Sequence, residues 1–232
     1  MQYLGGKSKI RFEVAGLINK HIVGRNYFEP FVGGGWVLQE VVAGKRFASD
    51  FNKALITLYQ ELQKGWIPPE FLSEEDYQIL KKKQDPEDPL TAFAGFGCSF
   101  AGKWFGGYAR SAGKDCYAGT TARSLLKQLP KIVDVKFNSA SYDTYQPKGM
   151  LIYCDPPYAN TTGYTGTGRF DSELFWEVMR EWSKHNTVLV SEYVSPEDFK
   201  CVLEVGSQMG MTKAGGRPVA TEKVFVHEAF KI

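Results

Sequence analysis

Long apolar runs are missing from this chain of 232 residues. None approaches the roughly 20 residues that a membrane-spanning helix needs. The opening stretch, MQYLGGKSKIRF, lacks the apolar segment of a secretory leader, so a cytoplasmic location is expected. Four cysteines (Cys98, Cys116, Cys154 and Cys201) lie scattered, with no CxxC pair and no histidine cluster beside them. That pattern argues for reduced thiols over disulfides and against a zinc site, so no metal is expected. Charge of one sign is also scarce. The net value is +2, so no whole-molecule basic field announces a polyanion, and a nucleic-acid partner must be met by a local patch. Internal repeats and low-complexity tracts are absent. The remainder, 43% hydrophobic and 23% charged, is an ordinary globular balance. It suffices for one sizeable core, or a core with a small inserted subdomain.

Along the chain, residues 26–31 read as a short strand and run directly into Gly33, Gly34 and Gly35. Residues 36–42 read as a helix closed by Gly44. A second strand over 46–49 ends at Asp50, and a helix over 52–63 sets Leu55, Leu58, Tyr59 and Leu62 on one face. Strand, glycine turn, helix, strand, acid is the opening of a parallel α/β sheet that binds a nucleoside. Residues 65–69, GWIPP, mark a boundary. Ser73 opens a capped helix whose end, Lys81 to Lys83, complements the helix dipole. Residues 93–120 interleave aromatics with glycines and are not expected to form a buried core element. Helical periodicity returns over 121–133, followed by a short strand over 135–137. Strands over 150–154 and 187–191 then flank an amphipathic helix over 171–184. Ser195-Pro196 reads as a helix start, and residues 202–205 and 223–227 as the last strands.

Residues 151–160, LIYCDPPYAN, carry the chemistry. An apolar strand delivers Asp155 to its carboxyl end, where ligands of open α/β sheets bind. Pro156 and Pro157 have fixed φ and no backbone donors. Asp155 and the Pro156 carbonyl therefore form two adjacent acceptors, which suits an exocyclic amine with two N–H donors. Tyr158 adds a flat face for a planar base.

The DPPY tetrapeptide at 155–158 resembles the catalytic motif of amino-group methyltransferases that use S-adenosylmethionine. The order of the motifs resembles the Dam-like, D12 class of DNA adenine N6-methyltransferases. Residues 3–7, YLGGK, are similar to its W-x-G-G-K element. Residues 29–35, EPFVGGG, resemble its cofactor loop, and residues 49–52, SDFN, its D-x-N element. Thr162, Tyr164 and Phe170 fall in its T…Y…F stretch, and residues 188–191 resemble its following strand. The resemblance covers about residues 1–65 and 125–232.

What it implies is a Rossmann-like, S-adenosylmethionine-dependent methyltransferase with a mixed, mostly parallel sheet. A cofactor half (1–65), a small inserted target-recognition subdomain (66–124) and a catalytic half (125–232) are expected. Tyr3, Gly6, Lys7, Phe31, Gly33, Gly35, Asp50 and Asp155 are then the expected cofactor contacts, with Lys7 pairing with the methionine carboxylate and Asp50 with the ribose hydroxyls. Asp155, Pro156 and Tyr158 are the expected catalytic residues, acting on an adenine flipped out of duplex DNA. Lys103, Trp104, Tyr108, Arg110 and Lys114 are expected to meet the DNA, with Arg123 and the aromatics Phe100 and Phe105 beside them. Cys154 reads as a buried strand residue, not a nucleophile. No obligate protein partner is implied. The alternatives are the same chemistry on adenine in RNA or on cytosine N4, and a non-catalytic DNA-binding protein on the same fold. Residues 98–110, CSFAGKWFGGYAR, lack the polar base-reading residues of Dam enzymes, so the target sequence stays open. So does the biological role, restriction protection or regulation.

Overall fold

The computed structural model describes residues 1–110, 117–157, 170–208 and 219–230. The chain opens with helix α1 (Arg11–His21). Strand β1 (Asn26–Glu29), strand β2 (Arg46–Asp50) and helix α2 (Lys53–Gln63) follow. Helices α3 (Glu74–Lys83), α4 (Pro89–Ala92) and α5 (Tyr117–Ile132) precede β3 (Lys136–Ser139) and β4 (Met150–Cys154). Helix α6 (Ser172–Ser183) leads to β5 (Thr187–Glu192), β6 (Phe199–Gln208) and β7 (Val219–His227).

The strands form one seven-stranded sheet in the order β3-β2-β1-β4-β5-β7-β6. Pairing is parallel from β3 across to β5, and β7 runs antiparallel between β5 and β6. This is the mixed, mostly parallel sheet expected for a Rossmann-like methyltransferase. The strand order reverses at β1, which has β2 on one side and β4 on the other. A crevice opens beyond the carboxyl ends of strands at such a switch point, and ligands bind there.

The sheet is covered on both faces, as parallel sheets require. Alternate residues serve alternate faces. Leu151, Tyr153 and Leu189 face the larger core, while Ile152, Cys154, Val188 and Val190 face a second core built on Phe175, Trp176, Met179 and Trp182 of α6. Polar side chains cap the starts of α2, α3, α4 and α6, with Asp88 Oδ1 accepting from Leu90 N at 2.9 Å for α4. Asn52 Oδ1 accepts from Leu55 N at 3.0 Å, Ser73 Oγ from Asp76 N at 3.0 Å, and Asp171 Oδ1 from Leu174 N at 3.0 Å.

Four features depart from the sequence-based expectations. Residues 36–42 do not form a helix. Only a short 3-10 turn, Leu38–Glu40, survives, and the chain is extended again at Val41. The Arg46 guanidinium takes the Leu38 and Val41 carbonyls at 3.3 Å each, and the three valines favour helix weakly. Ser195-Pro196 opens no helix either: Ser195 Oγ donates to Phe199 O at 3.1 Å, and β6 begins there. Helix α1 was not anticipated, because it buries only Val14, Ala15 and Ile18 and has no capping side chain.

The fourth departure is the burial of residues 93–99. Phe93 to Gly97 form a π-helical turn whose residues are all buried. Glycine makes this possible through close approach. A Cβ at Gly95 would lie 2.6 Å from the Trp104 ring, and one at Gly97 would lie 2.4 Å from Thr121 Cγ2. Phe93 and Phe96 join the same core as Leu55 and Tyr59. Helix α5 runs unbroken across residue 124, with Ala118 and Ala122 in that core too.

Candidate active site

The loop after β1 is held from beneath by backbone and side chains. Gly33 and Gly35 take φ of +45° and +64°, left-handed values that favour glycine. Val32 N donates to Ser49 O at 2.9 Å, and the Tyr59 hydroxyl donates to Gly33 O at 2.8 Å. Gln128 Nε2 of α5 donates to Gly34 O at 3.1 Å and Gly35 O at 3.0 Å. Tyr3 lies over the loop. A Cβ at Gly33 would stand 2.8 Å from its ring, which also packs on Phe96 with centroids 4.7 Å apart. Gly6 is squeezed between the Tyr3 carbonyl and Trp36, at 3.0 and 3.1 Å from where a Cβ would sit. Phe31 is half-buried among Tyr142, Phe170 and Phe175.

Asp50 closes the first half of the crevice. Its Oδ2 accepts from Gly33 N at 3.0 Å and its Oδ1 from Asn52 N at 2.9 Å. Burial pushes this carboxyl up to about 6, against the pull of those two backbone donors. Each oxygen keeps a further lone pair for a ligand hydroxyl. Glu29 lies deeper. Burial raises it well above the ordinary carboxylate range, and the Tyr27 hydroxyl donates to its Oε2 at 2.8 Å.

Asp155 stands directly beyond β4. Its Oδ1 lies 2.8 Å from the Lys7 ammonium, which is itself 3.7 Å from Glu222 Oε2 on β7. Burial pulls the Lys7 ammonium down, but Asp155 and Glu222 outweigh it, and the ammonium ends more strongly protonated than usual. Pro156 is buried. Cys154 is buried against Met179 Sδ at 3.5 Å, and burial raises its thiol well above the ordinary range. A thiol so held is a poor nucleophile.

Tyr3, Gly6, Lys7, Phe31, Gly33, Gly35, Asp50, Asp155 and Pro156 thus gather at the carboxyl ends of β1, β2 and β4. Tyr158 and Lys114 lie outside the described residues, as do Thr162 and Tyr164. The insert residues sit apart in kind. Lys103 and Phe100 are exposed. Trp104 packs on Phe96 and Phe105 and donates to Gln84 Oε1 at 3.1 Å. Tyr108 donates to Leu72 O at 2.7 Å, and Arg110 forks onto both oxygens of Glu74 at 2.5 and 2.7 Å. Arg123 meets Thr120 within α5. The sequence reading missed Glu222, Tyr59 and Gln128. In the alternating run TEKVFVH, nothing but an acid at one register position marks Glu222.

Comparison with known proteins agrees with this picture. Residues 3–91 match the model of the D12 class N6 adenine-specific DNA methyltransferase family. The chain is 25% identical to "DNA adenine methylase" from two strains of Vibrio cholerae serotype O1, over 92% of this chain and 87% of theirs. Similar solved structures include the rRNA methyltransferase aviRa from Streptomyces viridochromogenes (14% identity, TM-score 0.47, 98% of this chain and 87% of that one). Another is a precorrin-6y C5,15-methyltransferase from Geobacter metallireducens (9% identity, TM-score 0.40, 95% and 89%). The described strands form a Rossmann-like, mostly parallel sheet. The chain is thus similar to the D12 class over residues 3–91 and to the two curated methylases along most of its length. No helix among the described residues is long and apolar enough to cross a membrane.

Proposed function

We propose that the protein transfers the methyl group of S-adenosylmethionine to the N6 amine of adenine in duplex DNA, with the target base flipped out of the stack. The observation that carries this reading is the meeting, at one switch point, of a pinned glycine loop, Asp50 and the Asp155-Pro156 turn. The donor set fits S-adenosylmethionine. Asp50 would accept from the ribose diol, Phe31 and Tyr3 border the loop that would hold the nucleoside, and the surrounding carboxylates suit a cation. When bound, that group supplies an electrophilic methyl on a sulfonium.

The chain's own residues then act on the amine. Adenine N6 is a poor nucleophile because its lone pair is delocalised into the ring. Accepting its two N–H bonds at Asp155 and the Pro156 carbonyl favours a pyramidal nitrogen and stabilises the charge that develops on it. Tyr158 would stack on the base, and fixed positions of the two reactants supply much of the rate. As the N–CH3 bond forms, the S–CH3 bond would break with its electron pair leaving on the neutral thioether, and the surplus amine proton would pass to solvent; no covalent enzyme intermediate is needed. Lys103 and Arg110 are the described basic residues of the insert that would meet phosphates.

Incubation with methyl-labelled S-adenosylmethionine and duplex DNA, single-stranded DNA or RNA tests the reading. Label is expected in duplex DNA. Label confined to RNA would move the substrate, and no label alongside a retained gel shift would make the protein a binder.

A further inference from the structure

The buried Lys7 ammonium raises a problem for the site. It already occupies an oxygen of Asp155, at 2.8 Å, with its side chain only 5% exposed. A charge-assisted bond of this kind is strong. An amine that is to be gripped by Asp155 has to share or displace it. A buried ammonium deprived of its partner is severely destabilised, so displacement needs a second seat.

Glu222 offers that seat. Its Oε2 is 3.7 Å from Lys7 Nζ, and its side chain is 15% exposed against 19% for Asp155. The antiparallel register of β5 and β7 sets Glu192 opposite Lys223. Glu222 is therefore carried one residue further, past the carboxyl end of β5, the strand that lies between β7 and β4. We propose that Glu222 is a positioning residue: it receives the Lys7 ammonium as the substrate amine binds and so frees Asp155 for that amine. The proposal rests on the methyl-transfer reading above.

The charge balance points the same way. Lys7 between Asp155 and Glu222 leaves a net negative charge, which favours a sulfonium and the positive charge developing on the amine nitrogen. With Glu222 neutral, the trio would sum to zero. Among the described residues, the ionisable groups around it include Tyr193, Glu192, Tyr153 and Glu29. Burial raises the Tyr193 hydroxyl, with Glu222 adding to the effect, and burial raises Tyr153 and Glu29 well above their ordinary values. Tyr153 is further engaged with Ser191 Oγ at 2.8 Å, and Glu29 with Tyr27. Glu192 is buried, and its Oε2 accepts from Tyr193 N at 3.2 Å. Lys7 keeps all its protons throughout, and no bond is made or broken by the handover.

The test compares wild type, Glu222→Gln and Glu222→Asp, each checked for folding by thermal melting. Two readouts are taken: NMR titration of the Lys7 ammonium in the ligand-free protein, and the pH profile of methyl transfer to duplex DNA. In Glu222→Gln, Lys7 is expected to titrate at lower pH. The kcat should fall roughly 10- to 100-fold, the range for one lost hydrogen bond to a charged group. Its alkaline limb should move to lower pH, with KM for S-adenosylmethionine little changed. Glu222→Asp should restore the Lys7 titration and part of kcat. If the Gln variant fails to fold, Glu222→Ala takes its place: a lowered Lys7 titration with reduced kcat supports the proposal, and wild-type values of both overturn it. A Gln variant with wild-type kcat and pH profile also overturns it. A wild type that methylates no nucleic acid overturns the reading beneath the proposal instead, and the Lys7 titration still reports whether Glu222 holds the ammonium.

Discussion

The strand ends and the aromatic segment at 93–110 hold polar and aromatic groups in opposite ways. At the strand ends, the backbone is tied down from below and the carboxylates of Asp50 and Asp155 are presented at the crevice. In the aromatic segment the same residue types turn inward. Trp104 and Tyr108 spend their polar atoms on Gln84 and Leu72, and Gly95 exists to admit the Trp104 ring. Arg110 is paired on the surface with Glu74, an interaction weak enough for a phosphate to displace. A glycine-aromatic stretch is thus ambiguous in a way that a strand-end acid is not. It can describe a surface that reads nucleic acid or a core that needs close approach, and here much of it is core.

Substitution at Trp104 puts the largest strain on that contrast. Trp104→Ala should destabilise the fold by about 2–4 kcal/mol, because it empties the space between Phe96, Phe105 and Gly95. Chemical denaturation would show it as a lower midpoint. Unchanged stability with a large loss of DNA affinity would reverse the assignment and make Trp104 a surface reader.

A smaller effect is expected at Asp50, and it depends on pH. Its carboxyl is raised by burial from 3.8 to about 6, so the folded state holds that proton more tightly than the unfolded chain. Stability from this group is present below the unfolded value and is lost as pH rises through about 6. Above that, the ionised carboxylate is a standing penalty to the ligand-free fold. Asp50→Asn should therefore remove the pH dependence of the melting temperature between pH 3.8 and about 6, while lowering stability at every pH because its amide nitrogen meets a backbone N–H where Asp50 offers an acceptor. It should also weaken S-adenosylmethionine binding roughly tenfold, by loss of a charged acceptor. Wild-type affinity should fall as pH drops through about 6, and that of the variant should stay flat. Calorimetric titration between pH 5 and 8 distinguishes the two, and parallel profiles would remove Asp50 from the ribose role.

The legible parts of the molecule are those where local chemistry decides the outcome. The run MLIYC bounded by Gly149 and two prolines is β4, and the caps at Asn52, Ser73 and Asp171 start helices where their amide, hydroxyl or carboxylate oxygen can accept from the next turn. Tertiary contacts decide the rest. The helix expected over 36–42 yields to Arg46, which draws two carbonyls out of helical pairing. Ser195 has the composition of a cap, but its hydroxyl meets a strand. The Asp155 motif was readable because strand, acid and prolines are contiguous. Glu222 was not, because its partner Lys7 is 215 positions away in the chain (222 − 7) and only the insertion of β7 beside β5 brings the two together.

Nucleoside analysis of duplex DNA treated with the wild type and with Asp155→Ala tests the central claim most directly. The wild type should produce N6-methyladenine, and Asp155→Ala should lose roughly a thousandfold or more of that activity, on the scale of removing a principal transition-state contact. It should keep most of its DNA affinity but melt at a lower temperature, because the buried Lys7 ammonium loses its partner at 2.8 Å. Cytosine methylated at ring carbon C5, or N6-methyladenine formed undiminished by Asp155→Ala, would contradict an amine gripped at the end of β4.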